Sequence, residues 1–249
     1  MSDWFSEQLR LTVFPVQDPR EPDPNWWQKA VGENAETKTV QKGIAIRESG
    51  VIRGGYCALS LEIQATRVDW LMSPVIKPGE LLSGFPIFDK LSGALKTFRE
   101  LLEPWIKECP PSRRIAIGSV LTLPVENRED GYKKISKFLP FVKLDPENSS
   151  DFSYSINRPR PSKSGLKEFP INRLTRWSVA RFTGVQLQGE VPGNLKLTET
   201  SGDWSACRLE LDINTHTERK DPIPGERVPG IFNELVALTE EIAEKGDVS

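Results

Sequence analysis

The sequence predicts an α+β fold built as an internally duplicated strand-helix-strands-helix unit, with antiparallel sheets and the long helices packed on one face. Three observations predict it. Apolar residues alternate with period two over many short segments, which is typical of strands. Two longer segments carry apolar residues at three- and four-residue steps, which predicts amphipathic helices. The same order of elements, with four short residue matches, occurs in both halves of the chain.

The first half begins with a strand and ends with a long helix. Residues 9–16 alternate and predict a strand, and a helix is expected to begin near Asn25, after a proline-rich acidic turn. Alternation resumes over residues 37–72, where glycines divide it into three predicted strands. The long helix ends before Pro110 and Pro111, and its apolar positions are Phe88, Leu91, Leu95, Phe98, Leu102 and Trp105.

The second half repeats this order. A strand is predicted over residues 113–125 and a short helix over 127–140. The final helix is predicted from Val228 to Glu244, because its apolar residues fall on one face. Between the two helices we predict strands at 151–158, 169–187 and 204–215, and the connection 191–199 is a candidate for one more.

Residue matches in the same order in both halves favour a duplication over a coincidence of element order. The repeat exceeds a hundred residues, which is too long for a solenoid unit. We therefore expect halves at 1–110 and 111–249 in one compact pseudo-symmetric domain, with residues 9–108 superposing on 116–246. The matches are Phe14-Pro15-Val16 with Leu123-Pro124-Val125, Ala65 to Asp69 with Ala206 to Glu210, Pro78-Gly79-Glu80 with Pro224-Gly225-Glu226, and Ile87 to Leu91 with Ile231 to Leu235.

The segment 156–182, called the basic segment below, is the candidate binding site. It concentrates positive charge in a chain whose net charge is −2, and the extra length of the second half falls here. Its one acid is Glu168, and its basic residues are Arg158, Arg160, Lys163, Lys167, Arg173, Arg176 and Arg181. Strand alternation over 171–182 mixes charged and apolar residues on both faces, which is unusual for a strand that only covers a core.

Two interpretations of the basic segment follow. In the first, it is a recognition surface for carboxylate, phosphate or an acidic partner, since guanidinium groups bind such anions bidentately. In the second, the arginines lie over apolar surface or pair with acids elsewhere in the chain. The residues predicted to bind in the first interpretation are Asn157, Arg158, Arg160, Lys163, Asn172, Arg173, Arg176, Trp177 and Arg181.

Composition and motifs exclude several classes. A net charge of −2 argues against a surface made entirely for nucleic acid. No signal peptide is recognised, and no run approaches the roughly 20 apolar residues that cross a membrane, so we expect a cytoplasmic protein with no membrane partner. The sequence lacks the phosphate-loop, dinucleotide, zinc-hydrolase and nucleophile-elbow motifs. Cys57, Cys109 and Cys207 form no C-x-x-C pair, and His216 is the only histidine. We expect no cofactor and no metal.

One strand end offers an alternative site. Glu210, Asp212 and Asn214 alternate toward His216 and share a predicted face. Such a group is typical of a one-histidine acid/base site or a carboxylate magnesium site. A solvated strand end is the other interpretation of the same residues.

Two resemblances bear on fold and role. The duplicated element order is similar to the saddle of the TATA-binding protein. The strand 113–125, the INRL motif at 171–174, the strand LELDINT and the closing helix 231–242 resemble a patchily distributed bacterial family without an established activity. Genes distributed in that way are often found beside bacterial defence or toxin-antitoxin systems, so the resemblance implies a role of that kind.

We predict a non-catalytic cytosolic binding protein: an adaptor, sensor or antitoxin-like component that engages a protein partner through a broad sheet face and the basic segment. Asp145, Glu147 and Asp151 flank that segment and would repel a long polyanion. The first alternative is nucleic-acid binding, with Trp177 and Phe182 stacking on bases and the arginines on phosphates. The second is an enzyme that uses Asp212, Asn214 and His216.

Overall fold

The computed structural model describes residues 3–20, 25–77, 84–164, 170–191, 194–216 and 221–247, with the backbone alone for 183–191 and 194–203. Two groups of residues used above lie outside this description. They are the match Pro78-Gly79-Glu80 and the charged pair Lys167 and Glu168 of the basic segment.

The described chain forms ten strands and four α-helices, which confirms the predicted α+β class. The helices are α1 (Trp26–Val31), α2 (Leu91–Lys107), α3 (Arg128–Phe138) and α4 (Val228–Lys245). The strands are β1 (Phe5–Pro15), β2 (Thr37–Gln41), β3 (Ala45–Ile52), β4 (Cys57–Gln64), β5 (Val68–Ser73), β6 (Asp89–Lys90), β7 (Ser112–Val125), β8 (Ser153–Asn157), β9 (Ile171–Val191) and β10 (Asn194–Thr215).

All ten strands join one antiparallel sheet in the order β2-β3-β4-β5-β1-β7-β10-β9-β8, with β6 paired to β1. The first strands of the two halves, β1 and β7, pair at the centre, where Leu11 faces Ile117. In each half the last strand of the meander returns to pair with that half's first strand, β5 with β1 and β10 with β7. This shared connectivity is what a duplicated unit requires, and the duplication itself stays a prediction.

Element boundaries differ from the sequence predictions in three places. Residues 37–48, predicted as one strand, divide between β2 and β3, because the chain turns at Gly43, whose φ of 73° suits glycine. Helix α2 begins at Leu91 rather than near Phe88, since Asp89 and Lys90 pair with β1 as β6. The candidate strand at 191–199 is not separate, because β10 already pairs with β9 from Asn194 onward.

The core lies against one face of the sheet. In β10 the side chains of Cys207, Leu209, Leu211 and Ile213 are buried, while Arg208, Glu210 and Asp212 between them are partly exposed. Tryptophans join helices to strands: the Trp105 ring lies 5.6 Å from both Trp26 and Trp70. Each such pair adds about 0.5–1.5 kcal/mol beyond its buried area.

Candidate functional site

The basic segment divides into parts with different surroundings. Its first part, residues 158–164, runs along helix α4 and is called the strap below. Arg160 makes a bidentate contact with Glu241 of α4, with Nη1 donating to Oε2 at 2.8 Å and Nη2 to Oε1 at 3.1 Å. This geometry is the strong form of the guanidinium–carboxylate pair, so Arg160 is engaged within the chain.

A second carboxylate of α4 holds the end of the strap. Glu234 accepts hydrogen bonds from Ser162 Oγ at 2.8 Å and from the backbone amides of Lys163 and Ser164 at 2.6 and 2.9 Å. The Ser164 hydroxyl also donates to it. Burial raises the pKa of Glu234, but the hydrogen bonds from Ser164, Lys163 and Ser162 outweigh burial and hold that pKa below its ordinary value.

The start of the strap is fixed by the end of α4. Arg158 Nε donates to Asp247 Oδ1 at 2.6 Å, and Tyr154 donates to the other carboxylate oxygen at 3.2 Å. Asp247 is placed by Gly246, where φ is 81° and an added Cβ would lie 2.2 Å from the carbonyl oxygen of Phe138. Only glycine fits this close approach. The acids that pair with the strap thus come from α4 and the residue beyond its C-cap.

The central part of the basic segment lies in β9, and the face of β9 that carries Trp177 is buried. Trp177 is fully buried between Trp4, at a ring distance of 6.0 Å, and Phe138, which stacks on it at 5.5 Å. Because both neighbours cover the indole, the expectation that Trp177 stacks on nucleic-acid bases is wrong. Phe182 is partly exposed and contacts Trp204.

Arg173 shares this buried face and is only 2% exposed. Burial, followed by the charge of Arg160, lowers the pKa of Arg173. Its placement next to the strap favours a structural role over surface recognition. Of the other predicted binding residues, Lys163, Arg176 and Arg181 are exposed.

The opposite face of the sheet, called the open face below, carries a row of side-chain amides. Asn157 Nδ2 donates to Asn172 Oδ1 at 3.1 Å, Asn172 Nδ2 to Asn214 Oδ1 at 3.1 Å, and Asn214 Nδ2 to Asp212 Oδ1 at 3.0 Å. Asn157 Oδ1 accepts from the backbone N–H of Arg173 at 2.9 Å. The row crosses β8, β9 and β10 and fixes the orientation of the Asp212 carboxylate.

A depression of about 480 Å³ lies next to this row on the open face. It spans β1, β7, β10, β9 and β8, and therefore joins both halves of the chain. Leu174, a large apolar side chain that is 41% exposed, forms part of its lining. The polar residues of its lining include Gln8, Arg10, Ser155, Arg176, Glu210 and Asp212.

Two arginines elsewhere on the open face are paired with acids. Arg208 lies 3.2 Å from Glu7 and 3.3 Å from Glu210. Arg67 lies 2.6 Å from Asp69. The Arg67–Asp69 and Arg208–Glu210 pairs each join residues that are two apart in sequence. The predicted duplication matches Arg67 with Arg208 and Asp69 with Glu210.

Arg10 is held differently. Its guanidinium lies over Gly118 of β7, where an added Cβ would be 3.3 Å from Nη2 and 3.4 Å from Nε. The Nε atom is buried and makes no hydrogen bond with the described residues. Arg10 was not among the predicted binding residues, although a glycine inside a predicted strand is a signal for close approach of another group.

The structure brings together two of the three residues of the proposed acid/base site at the end of β10. Asp212 and Asn214 share the open face and are hydrogen-bonded, while His216 follows the last residue of β10 and is partly buried. Within the described residues, no three histidine, cysteine or acidic side chains are grouped as a metal site would require. The three cysteines are buried, and burial raises the pKa of the Cys109 thiol to about 12.

No protein-family model, curated protein or solved structure matches this chain. In the part of the chain that the structure describes, no helix has both the length and the apolar character needed to cross a membrane.

Proposed function

We propose that the chain is a non-catalytic binding protein that engages a protein partner through the open face of its sheet. The observation that carries this proposal is the depression on that face, which combines an exposed leucine, Leu174, with charged and amide side chains. A mixed apolar and polar surface with fixed hydrogen-bonding groups is typical of a protein interface.

We propose that the open face is available because the four helices pack on the opposite face of the sheet. Contacts on the Trp177 side support it. Gly131 of α3 lies so close to Val179 that an added Cβ would be 2.8 Å from its Cγ1. Trp105 of α2 contacts Trp70, and Phe232 of α4 contacts Phe98 of α2 at 6.5 Å.

A protein partner is favoured over nucleic acid for two reasons. Arg158 and Arg160 are engaged by acids of the same chain, and Trp177 is covered. The basic segment therefore contributes mainly to the fold of the second half, and Arg176 is the one of its described basic residues that lines the depression. The cytoplasmic location and the role in a bacterial defence or toxin-antitoxin system belong to this proposal and rest on the sequence.

Co-purification from the native host tests the proposal. Leu174→Glu places a charge in the depression and should abolish recovery of the partner, because an interface of this type loses apolar contact and gains a buried charge. Ile44→Glu is the matched control, since Ile44 is 64% exposed in the β2–β3 hairpin away from the depression. Equal recovery with both variants would refute the open-face proposal, and recovery of nucleic acid in place of a protein would favour the first alternative.

A further inference from the structure

Arg10 differs from its neighbours on the open face because its charge has no carboxylate within ion-pairing distance among the described residues. Arg67 and Arg208 each have one. The close approach to Gly118 holds the Arg10 guanidinium flat on the sheet at the edge of the depression. A guanidinium that has no carboxylate partner in its own chain is a recognition group for the carboxylate of another molecule.

Arg176 lies across the same depression on β9. It is exposed and stands opposite Glu210 in the β9–β10 register. Its Nε donates to Ser153 Oγ at 3.4 Å, which is a long and weak contact. The structure thus brings two guanidinium groups from different halves of the chain to this depression.

The acids of the depression have donors of their own. Glu210 lies 3.3 Å from Arg208, and Asp212 accepts from Asn214. The negative charges of Glu210 and Asp212 would repel a second anion bound beside the first. The depression therefore suits one carboxylate and disfavours a chain of phosphates. Leu174, in the same lining, suits an apolar side chain next to that carboxylate.

We propose that Arg10 and Arg176 bind a single carboxylate of the protein partner, an aspartate or glutamate side chain that is followed by an apolar residue packed on Leu174. This inference rests on the proposed function, because it names the chemistry that the open face recognises. Guanidinium groups hold a carboxylate with charge-assisted hydrogen bonds, so both the charge and the planar geometry of the arginines contribute.

Two matched peptides test the site in the full chain. The probes are acetyl-Ala-Glu-Leu-amide and acetyl-Ala-Gln-Leu-amide, and the measurement follows the arginine Nε–Hε signals of the ¹⁵N-labelled protein by NMR. The Glu peptide should shift the Arg10 and Arg176 signals saturably and bind at least about tenfold more tightly than the Gln peptide. Arg10→Gln and Arg176→Gln should each remove most of this preference, and Arg99→Gln on α2 should leave it unchanged.

Three outcomes would overturn the inference: equal binding of the two peptides, an unchanged preference in both variants, or tighter binding of a single-stranded oligothymidylate that Arg10→Gln abolishes. Arg176 is exposed, so its variant should keep the melting temperature of the unaltered protein and remain interpretable if Arg10→Gln is unstable. Partner recovery that depends on Leu174 but not on Arg10 or Arg176 would leave the open-face proposal standing and reject the carboxylate site alone.

Discussion

At the scale of single residues, Gly118 decides where the Arg10 side chain lies. The guanidinium lies over β7 at Gly118, which has no side chain to displace it. Gln8 and Asp212 also line the depression. The contact is with a flexible arginine head rather than with backbone, so a larger residue at Gly118 would displace Arg10 without disrupting the sheet.

Gly118→Val tests this interpretation. We expect the free energy of unfolding to change by less than about 1 kcal/mol, because β-branched residues suit strands and the arginine can move. The Arg10 Nε–Hε signal should shift even without ligand, and binding of the Glu peptide should weaken. A loss of more than about 3 kcal/mol would show that the position tolerates no side chain for reasons other than Arg10.

His216→Gln separates the binding protein from the enzyme alternative. His216 lies beyond the last residue of β10 and does not line the depression. We expect this variant to recover the partner as the unaltered protein does. Loss of a cellular phenotype with an unchanged melting temperature and intact partner recovery would favour catalysis at the Asp212, Asn214 and His216 strand end.

Sequence reasoning at this scale placed residues on faces correctly but could not identify the buried face of β9. Ile171, Arg173, Thr175 and Trp177 share one face as the period of two requires, and that face is the buried one. The pattern was ambiguous because Arg173 is charged on the core face while Leu174 is apolar on the open face. Packing against α3, which the sequence does not reveal, shows that the Trp177 face is the buried one.

At the scale of elements, the strap is attached to α4 by polar contacts. Arg160→Gln removes the bidentate pair with Glu241, whose two side chains are each about a quarter exposed. We expect the free energy of unfolding to fall by about 1–2 kcal/mol, because a partly buried carboxylate loses its charged donors. Arg47→Gln is the control at the more exposed pair with Glu62 and should cost under about 1 kcal/mol. Equal losses in chemical denaturation would contradict the structural role of the strap.

Acid should release the strap. Hydrogen bonds from Arg160 lower the pKa of Glu241, and the donors at the end of the strap lower the pKa of Glu234 below the ordinary value of 4.5. A carboxylate whose pKa is lowered by folding stabilises the folded state at pH values above its ordinary pKa. This stabilisation is lost as the pH falls through the pKa that the carboxylate has in the folded state.

Hydrogen exchange of the Lys163 and Ser164 amides measures this release, because both donate to Glu234. After correction for intrinsic rates, their protection should be constant near neutral pH and fall on acidification below 4.5. Glu234→Gln should lower protection at neutral pH and flatten its pH dependence. Protection that persists unchanged in that variant would show that other contacts hold the strap.

The long helices were the elements that the sequence predicted best. Apolar residues at helical spacing identified α2 and α4 to within a few residues, because each helix buries one stripe on the core. The strap was not predicted as such, since its partners at Glu234, Glu241 and Asp247 are over seventy residues away in sequence. Long-range ion pairs leave no periodic signal.

At the scale of the whole molecule, the sheet order is symmetric about β1 and β7, apart from the fourth strand in the first meander. Of the residue matches between the two halves, one has equivalent surroundings in both halves and another does not. Arg67 with Asp69 and Arg208 with Glu210 form equivalent ion pairs. Phe14 and Leu123, however, face opposite sides of the sheet, because Leu123 is buried in the core while Phe14 lies under Arg114.

Superposition of residues 9–108 on 116–246 in an experimental structure would test the duplication. The register of each strand against its central partner makes this test strict. Asp69 of β5 pairs with Thr12 of β1, whereas Arg208 of β10 pairs with Thr122 of β7. A duplicated unit with the predicted matches brings Arg67 onto Arg208. A shift of two residues along the strand would keep the faces but reject that match, and a misfit of α2 against α4 would reject the duplication.

Site-specific photo-crosslinking tests the central claim, that the open face is the binding surface, most directly. A photoreactive amino acid at Leu174 lies in the depression, and the same group at Ile44 lies at the more exposed β2–β3 hairpin. In the native host, the protein should form one discrete protein adduct from position 174 and none from position 44. An adduct from position 44 without one from position 174 would contradict the account.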